Sequence, residues 1–447
     1  MTWRQRGDAV AGVASAWIGA LAGASAQVPP AREGLNLAAT ERVRLETIDG
    51  QARAGFRADD TLLNLRTTAL AEYRDGPLTL AAELWDSRVY GGKSGSPITT
   101  NEVNALELVQ LSATLRLSPR VTVQAGRFVL NLGSRRLIAA DDYRNTTNGY
   151  TGVRVDLAPS QQWRATAIYV LPQQRRPDDR DALFDNAVAP DREGLDLVLW
   201  GGLISRARTI GPAMLEASFF HLGERDRAGR PTRDRSLDTA ALRVLRDPAV
   251  GRFDYEVEAI VQRGQASAST APTAPTLEVR AWFVHADAGY TLPGGWKPRV
   301  SVEVDHASGD GRGARFTRFD TLFGMRRADL APAGLYNAIA RTNVSSPGIR
   351  IEAVPSRSTD AFVSYRVLYL ASRTDSFAAT GVRDPTGLSG GFAGHQVDAR
   401  IRHRLNPSLT LEADGVLLAK GAFLRTAPGA PSGRWTRYVS LNLLASF

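Results

Sequence analysis

Apolar and polar side chains alternate with a period of two along most of the chain, and the final segment shows the pattern without interruption. Val439, Leu441, Leu443, Ala445 and Phe447 share one face of a predicted strand, and Ser440, Asn442 and Ser446 share the other, because successive side chains of an extended chain point to opposite sides. Leu63, Leu65, Thr67, Ala69, Ala71 and Tyr73 likewise face away from Asn64, Arg66, Thr68, Glu72 and Arg74. The same alternation sets Val121, Val123 and Ala125 against Thr122, Gln124 and Gly126, and Val300, Val302 and Val304 against Arg299, Ser301, Glu303 and Asp305. Val397, Ala399 and Ile401 oppose Asp398, Arg400 and Arg402. Sustained helical periodicity is nearly missing, and the polar face is charged. About eighteen such segments are centred near residues 43, 67, 82, 111, 123, 154, 166, 199, 217, 242, 258, 283, 302, 351, 365, 400, 412 and 441.

A soluble barrel fills a narrow interior with apolar residues, whereas a membrane barrel turns them outward. Eighteen strands enclose a cylinder too wide for side chains to fill, so the charged face must surround water. Closure also lets strands cross lipid, since every backbone N–H and C=O finds a partner and no edge remains. The pattern therefore predicts an all-β fold, a transmembrane antiparallel up-and-down β-barrel. Tyr73, Trp163, Tyr169, Trp200, Tyr255, Tyr290, Trp296 and Tyr438 fit aromatic girdles at the two interfaces. Short connections at Asp75-Gly76-Pro77, Pro119-Arg120, Pro159-Ser160 and Asn406-Pro407 suit the periplasmic end. Long polar stretches at Tyr90–Asn101, Pro172–Gly194, Gly223–Ser236, Ala307–Ser346 and Ser372–Gly394 suit the outer end.

The N-terminus carries a different signal. Arg4 and Arg6 precede an apolar run from Ala9 to Ala24, and Ala24-Ser25-Ala26 supplies the small residues of a cleavage site. Residues 1–26 are thus expected to be a signal peptide and residues 27–447 a single mature domain in the outer membrane of a Gram-negative bacterium. The 447 residues include no cysteine and only five histidines, which removes disulfides, thiolate metal sites and cysteine nucleophiles. Lys and Arg outnumber Asp and Glu by 55 to 46, and nearly all of the basic residues are arginine.

Ala125-Gly126-Arg127-Phe128, then Gly133-Ser134-Arg135-Arg136-Leu137-Ile138 and Asp142-Tyr143-Arg144-Asn145, resemble the alginate export family of outer-membrane porins. Similar stretches follow in order: Tyr255-Glu256-Val257-Glu258, Ala288-Gly289-Tyr290, Ala307-Ser308-Gly309-Asp310, Phe319 to Phe323, Asn343 to Arg350, Leu370 to Asp375, Gly394 to Asp398 and Lys420-Gly421. The resemblance spans roughly residues 40 to 447. It implies an eighteen-stranded barrel whose lumen carries an Arg/Lys-rich constriction with a few acidic partners, which in the family's namesake passes an acidic polysaccharide outward; periplasmic export components are a further candidate partner.

Guanidinium groups in a wide aqueous pore concentrate anions and bind carboxylates through a two-pronged donor set. Arg127, Arg154, Arg350, Arg366 and Arg402 are the foremost candidates, followed by Arg66, Arg88, Arg164 and Arg400. Glu83, Glu256, Glu258, Glu303, Asp305, Glu352, Asp398 and Glu412 are the expected counter-charges. Any one of these arginines could equally brace the wall through a cross-strand pair. The function expected is passive conduction of hydrophilic, anionic solutes. The alternatives are a general-diffusion porin, or a structural barrel whose long loop Ala307–Ser346 folds inward and occludes the pore.

Enzymatic signatures do not emerge: there is no GxSxG elbow, no HExxH, no phosphate-binding loop and no dinucleotide fingerprint. The tract Asp305–Gly313 offers Asp305 and Asp310 to a calcium ion, against the alternative of a glycine-rich turn. Arginines alternate with apolar residues instead of clustering, which argues against nucleic acid. No cofactor is implied. The expected partners are outer-membrane lipids and anionic polysaccharide or small anionic solutes, and the expected state is a monomer.

Overall fold

Each alternating segment forms a strand, and the strands follow one another around a closed wall. The computed structural model describes residues 33–227, 229–326 and 330–447, so the predicted signal peptide lies outside the described residues. The first nine strands are β1 Gly34–Asp49, β2 Asp60–Asp75, β3 Leu78–Tyr90, β4 Asn104–Ser118, β5 Val121–Val129, β6 Gly149–Leu157, β7 Trp163–Pro172, β8 Leu197–Ile210 and β9 Ala213–Glu224. The rest are β10 Ser236–Arg246, β11 Phe253–Ser267, β12 Thr276–Thr291, β13 Arg299–Ala307, β14 Val344–Ser356, β15 Thr359–Tyr369, β16 Phe392–Asn406, β17 Leu409–Lys420 and β18 Trp435–Ser446. All eighteen predicted centres fall inside these strands.

Neighbours in sequence pair antiparallel, and β1 pairs with both β2 and β18, which closes the sheet. Val43 sits opposite Leu65 on one side and Leu443 on the other. No strand edge is left for lipid to desolvate.

The wall is greasy on the outside. Val302 is 57% exposed and Leu441 49%, whereas Ser301 and Ser440, their neighbours in the chain, are buried. On β12 the outward Trp282 and Tyr290 bracket Val284, Ala286 and Ala288, and their separation of eight positions spans about 26 Å along the strand at 3.3 Å per residue. At a strand tilt of about 40° this projects to about 20 Å along the membrane normal, most of the roughly 25 Å apolar band of an outer-membrane barrel. Tyr73, Trp163, Tyr169, Trp200 and Trp296 are also exposed on the outer side. Tyr438 departs from expectation. It has the parity of Ser440, not of Val439, and is 1% exposed with its ring centroid 6.0 Å from that of Tyr336.

Tight connections lie at one end, as at Gly76-Pro77 and Pro119-Arg120, and long ones lie at the other. The long segment between β5 and β6, residues 130–148, was not among the predicted outer loops. Buried apolar side chains do not form a layer between sheets. They gather in the outer half of the cylinder, where Leu330, Leu335, Tyr336 and Ile339 of an infolded loop pack with wall residues such as Ile48, Val344 and Leu418.

Candidate functional site

Parity and register together decide which charges face the lumen. Outward Val300, Val302 and Val304 force Arg299, Ser301, Glu303 and Asp305 inward, and the ladder carries that phase to Arg350 and Glu352 on β14, Arg366 on β15 and Arg400 on β16. In this sector Arg299, Arg350, Arg366, Arg400 and Arg402 each meet a carboxylate. Arg366 donates to Asp305 at 2.9 Å and to Glu303, and Arg350 donates to Glu352 at 2.9 Å while lying over the Phe362 ring. Arg400 and Arg402 share Asp360 at 2.6 and 2.9 Å, and Arg243 holds Glu256 at 3.0 Å. His285 contacts Asp305 at 2.8 Å. Such interleaved opposite charges satisfy one another across strands.

The sector at β1 and β2 differs. Arg42, Arg44 and Arg66 all point inward, and only Arg44 has a carboxylate partner, Glu46 at 3.0 Å. Among the described residues Arg42 and Arg66 have no ion pair. Their guanidinium groups instead donate to backbone carbonyls of the loop formed by residues 130–148. Arg42 donates to the carbonyls of Asp142, Tyr143 and Arg144 at 3.2, 3.1 and 2.6 Å, and Arg66 to those of Asp142 and Arg144 at 2.7 and 3.2 Å.

That loop crosses the lumen. Its other arm carries Arg136 to β11, where the guanidinium donates to Glu258 at 2.6 Å and to Glu256. A second loop, of which residues 308–326 and 330–343 are described, folds in beside it. Phe323 donates to the Leu137 carbonyl at 2.9 Å, and Met325 to that of Arg135 at 3.0 Å. The second loop also reaches the wall, since the Leu335 amide donates to Glu46 at 2.9 Å and the Tyr336 hydroxyl to Gln396 at 2.5 Å. A cavity of about 600 Å³ lies on the outer side of this bridge, lined by Arg233, Arg235, Arg318, Asp320 and Arg326. A smaller one of about 170 Å³ lies on the inner side, lined by Arg135, Arg136, Arg243, Arg299, Arg400 and their carboxylates.

The loops are clamped from outside the membrane band. Asn145 donates to the Glu102 carbonyl at 2.9 Å, and Arg144 to Asn101 Oδ1 at 2.6 Å. Burial pushes the Glu102 carboxyl above its ordinary value, against hydrogen bonds from Thr99 and the charge of Arg53. Burial does the same to Asp191, against the Arg176 amide, Arg175 and Asn104.

The structure sorts the sequence-predicted residues. Arg66, Arg154, Arg350, Arg366, Arg400 and Arg402 have inward parity, as do Glu83, Glu256, Glu258, Glu303, Asp305, Glu352, Asp398 and Glu412. Arg154 is paired to Asp156 at 2.8 Å, and Glu83 accepts from Gln110. Arg164 has inward parity too, but it sits at the tight-turn end, donating to the Ser160 and Trp163 carbonyls. Two residues require correction. Arg88 faces Leu65 in the ladder, which puts it on the outer side beside Asp86 at 2.9 Å. Arg127 faces the exposed Leu111 and has the parity of Val121 and Val123. It lies where β4 and β5 cease to pair, held by Glu107 at 2.7 Å and by Glu193 at 2.8 Å.

The calcium candidate also comes apart. Asp305 is engaged inside the wall, Asp310 accepts from the Thr317 amide at 3.0 Å, and among the described residues no group of three or more His, Asp and Glu could hold a metal ion. Arg42, Arg44, Arg136 and Arg243 were missed, and Arg299, read on the polar face, was not among the candidates. Arg42 and Arg44 alternate with Val43 and Leu45, so the period-two signal was there to find them; Arg136 sits in a loop and has none.

The sequence matches the alginate export family over residues 33–437. No individual curated protein matches it. Among solved structures, OpdK of Pseudomonas aeruginosa, crystallised with vanillate, superposes with a TM-score of 0.59 at 12% identity, covering 92% of this chain and 98% of that one. OccAB1 of Acinetobacter baumannii gives 0.60 at 12% identity, with 94% and 99% covered. OccK2 (OpdF) of Pseudomonas aeruginosa, in complex with glucuronate, gives 0.57 at 12% identity, with 93% and 99% covered. These likenesses are of fold.

Proposed function

We infer that this chain, which belongs to the alginate export family, conducts anionic, carboxylate-bearing solutes passively through its lumen, residues 27–447 acting as one domain. The chain is an outer-membrane porin barrel; the selectivity is the inference. One observation carries it: Arg42 and Arg66 donate to carbonyl oxygens of the crossing loop, whereas Arg299, Arg350, Arg366, Arg400 and Arg402 of the opposite wall each have a carboxylate. When the loop of residues 130–148 swings away, two guanidinium groups lose neutral acceptors and face water. A solute carboxylate accepts the same N–H groups and adds a full opposite charge. Binding at such a site is weak and repeated, as conduction requires. Arg350, Arg366, Arg400 and Arg402, each with a carboxylate beside it, act in this reading chiefly as wall braces. Uronate polymers such as alginate, and small uronates, are the solute class that fits. The glucuronate named with OccK2 belongs to that protein, and it is a reasonable first probe here.

The test is the reversal potential of the reconstituted barrel under a salt gradient. Arg42→Ser with Arg66→Ser is expected to lower anion preference, and blocking by polyuronate fragments should weaken with it. An unchanged preference, or equal blocking by neutral sugars, refutes anion selectivity and leaves a general-diffusion pore. The inward position of Leu335, Tyr336 and Ile339 of the second loop favours one further reading, an occluded structural barrel. A barrel that passes no current after both crossing loops are shortened would establish it.

A further inference from the structure

The outer side of the wall carries a cluster that the lumen does not use. Arg263 on β11 and Arg280 on β12 are directly opposite in the ladder, and both are exposed on the lipid-facing side. They lie one outward position beyond Trp282, about 7 Å along the strand, which sets them at headgroup level toward the long-loop end. Above Phe283 the edge of β12 is covered by the second loop, where the Phe316 amide donates to the Glu278 carbonyl at 2.9 Å and the Arg280 amide donates to the Phe316 carbonyl at 3.0 Å. This brings Arg315 into the same row. Glu278 is shared between Arg280 and Arg315 at 2.6 and 2.8 Å, and among the described residues the Arg263 side chain has no ion pair. Two guanidinium groups thus share one carboxylate, and a third lies directly across the ladder from one of them.

Like charges directly opposite in a ladder destabilise it. Elsewhere on this rim the charged neighbours are of opposite sign: Asp49 with Arg437, Asp86 with Arg88, His221 with Asp238. Glu278 offsets one of the three positive charges here, and the surplus calls for a further anion. We propose that Arg263, Arg280 and Arg315 form a binding site for a phosphate group of an outer-leaflet glycolipid. The charge sign, the height just beyond the aromatic girdle and the outward exposure all fit a phosphomonoester held at the headgroup plane. Two guanidinium forks on adjacent strands can each donate two N–H groups to its oxygens. The acyl chains then lie along Val261, Ala259 and Val257 below.

The experiment is native mass spectrometry of the full barrel released from detergent, with bisphosphorylated lipid A as the probe. Wild type is expected to retain one equivalent, and Arg263→Gln with Arg280→Gln to weaken retention about tenfold, the loss of a charge-assisted pair. Arg437→Gln should match wild type, and lipid A stripped of phosphate should not be retained. The proposal is overturned if the double variant retains lipid A as wild type does, if dephosphorylated lipid A binds equally, or if excess inorganic phosphate displaces it, which marks a free-anion site instead. Unaltered conductance confirms that the variant folds. Should the double variant not fold, Arg263→Gln alone carries the test, with the same outcomes read.

Discussion

Arg136 reaches across the lumen to Glu258, 122 residues further along the chain, and the two meet at 2.6 Å. The guanidinium is nearly buried, and it holds one arm of the crossing loop against β11. Removing one partner of a buried pair strands the other, at a cost of about 3–5 kcal/mol. Arg243 already neutralises part of the charge on Glu256, so the lower end applies. Arg136→Ala is therefore expected to detach the arm and shift the loop toward an open lumen, since about 1.4 kcal/mol changes an equilibrium tenfold. Single-channel currents should show a larger or more frequent open level. Currents identical to wild type would mean that the wall does not hold the loop through this residue.

Arg127 offers the opposite expectation. It braces the gap between β4 and β5 by binding Glu107 and Glu193, and its parity is outward. Arg127→Ser should leave two partly buried carboxylates without their cation and cost about 2 kcal/mol of stability. Anion preference should not change. A lowered unfolding temperature together with an unaltered reversal potential is the predicted pair of results; a loss of selectivity would return Arg127 to the conduction path.

Gly334 lets the second loop touch the wall. Its φ of +74° is one that side chains rarely adopt, and an added Cβ would lie 2.6 Å from the Glu46 carboxylate oxygens. Of those oxygens Oε2 accepts from the neighbouring Leu335 amide and Oε1 from Arg44. Gly334→Ala should cost about 1 kcal/mol for the backbone alone and push the loop off Glu46. Limited proteolysis within residues 308–343 is the check, with faster cleavage expected than in wild type.

The strands were legible because a wall one residue thick, apolar outside and wet inside, writes its period directly into the chain. Val43, Leu45, Val302 and Leu441 read outward and are outward. Where the reading failed, residue type had overridden parity. Tyr438 was placed with the girdle for being aromatic although Val439 and Leu441 fix it inward, and Arg127 was placed in the lumen for being charged although Val121 and Val123 fix it outward. The crossing loops were beyond any period. Arg42 meets the Asp142 carbonyl across 100 residues, and a hydrogen bond to a backbone carbonyl leaves no trace in side-chain chemistry. Which lumen arginines have carboxylates and which have carbonyls therefore became visible only in three dimensions.

The clamp on the crossing loop should respond to acid. Glu102 is 3% exposed, its backbone carbonyl accepts from Asn145, and burial raises its carboxyl above the ordinary range, as burial also does for Asp191. A carboxyl whose folded value is raised binds its proton more tightly when the loops are packed. Its stabilising contribution is then fully present below the unfolded value, about pH 4, and is lost as pH rises through the raised value. Protonation therefore favours the packed, closed loops, and conductance should fall as pH drops from neutral toward 4. Glu102→Gln retains an acceptor for Thr99 without the charge, so it should hold the loops closer to their acid state at neutral pH and flatten the dependence. Bilayer currents recorded across this range, with wild type and Glu102→Gln side by side, decide the matter. Conductance that rises on acidification, or a slope that the variant leaves intact, would place the sensing group elsewhere.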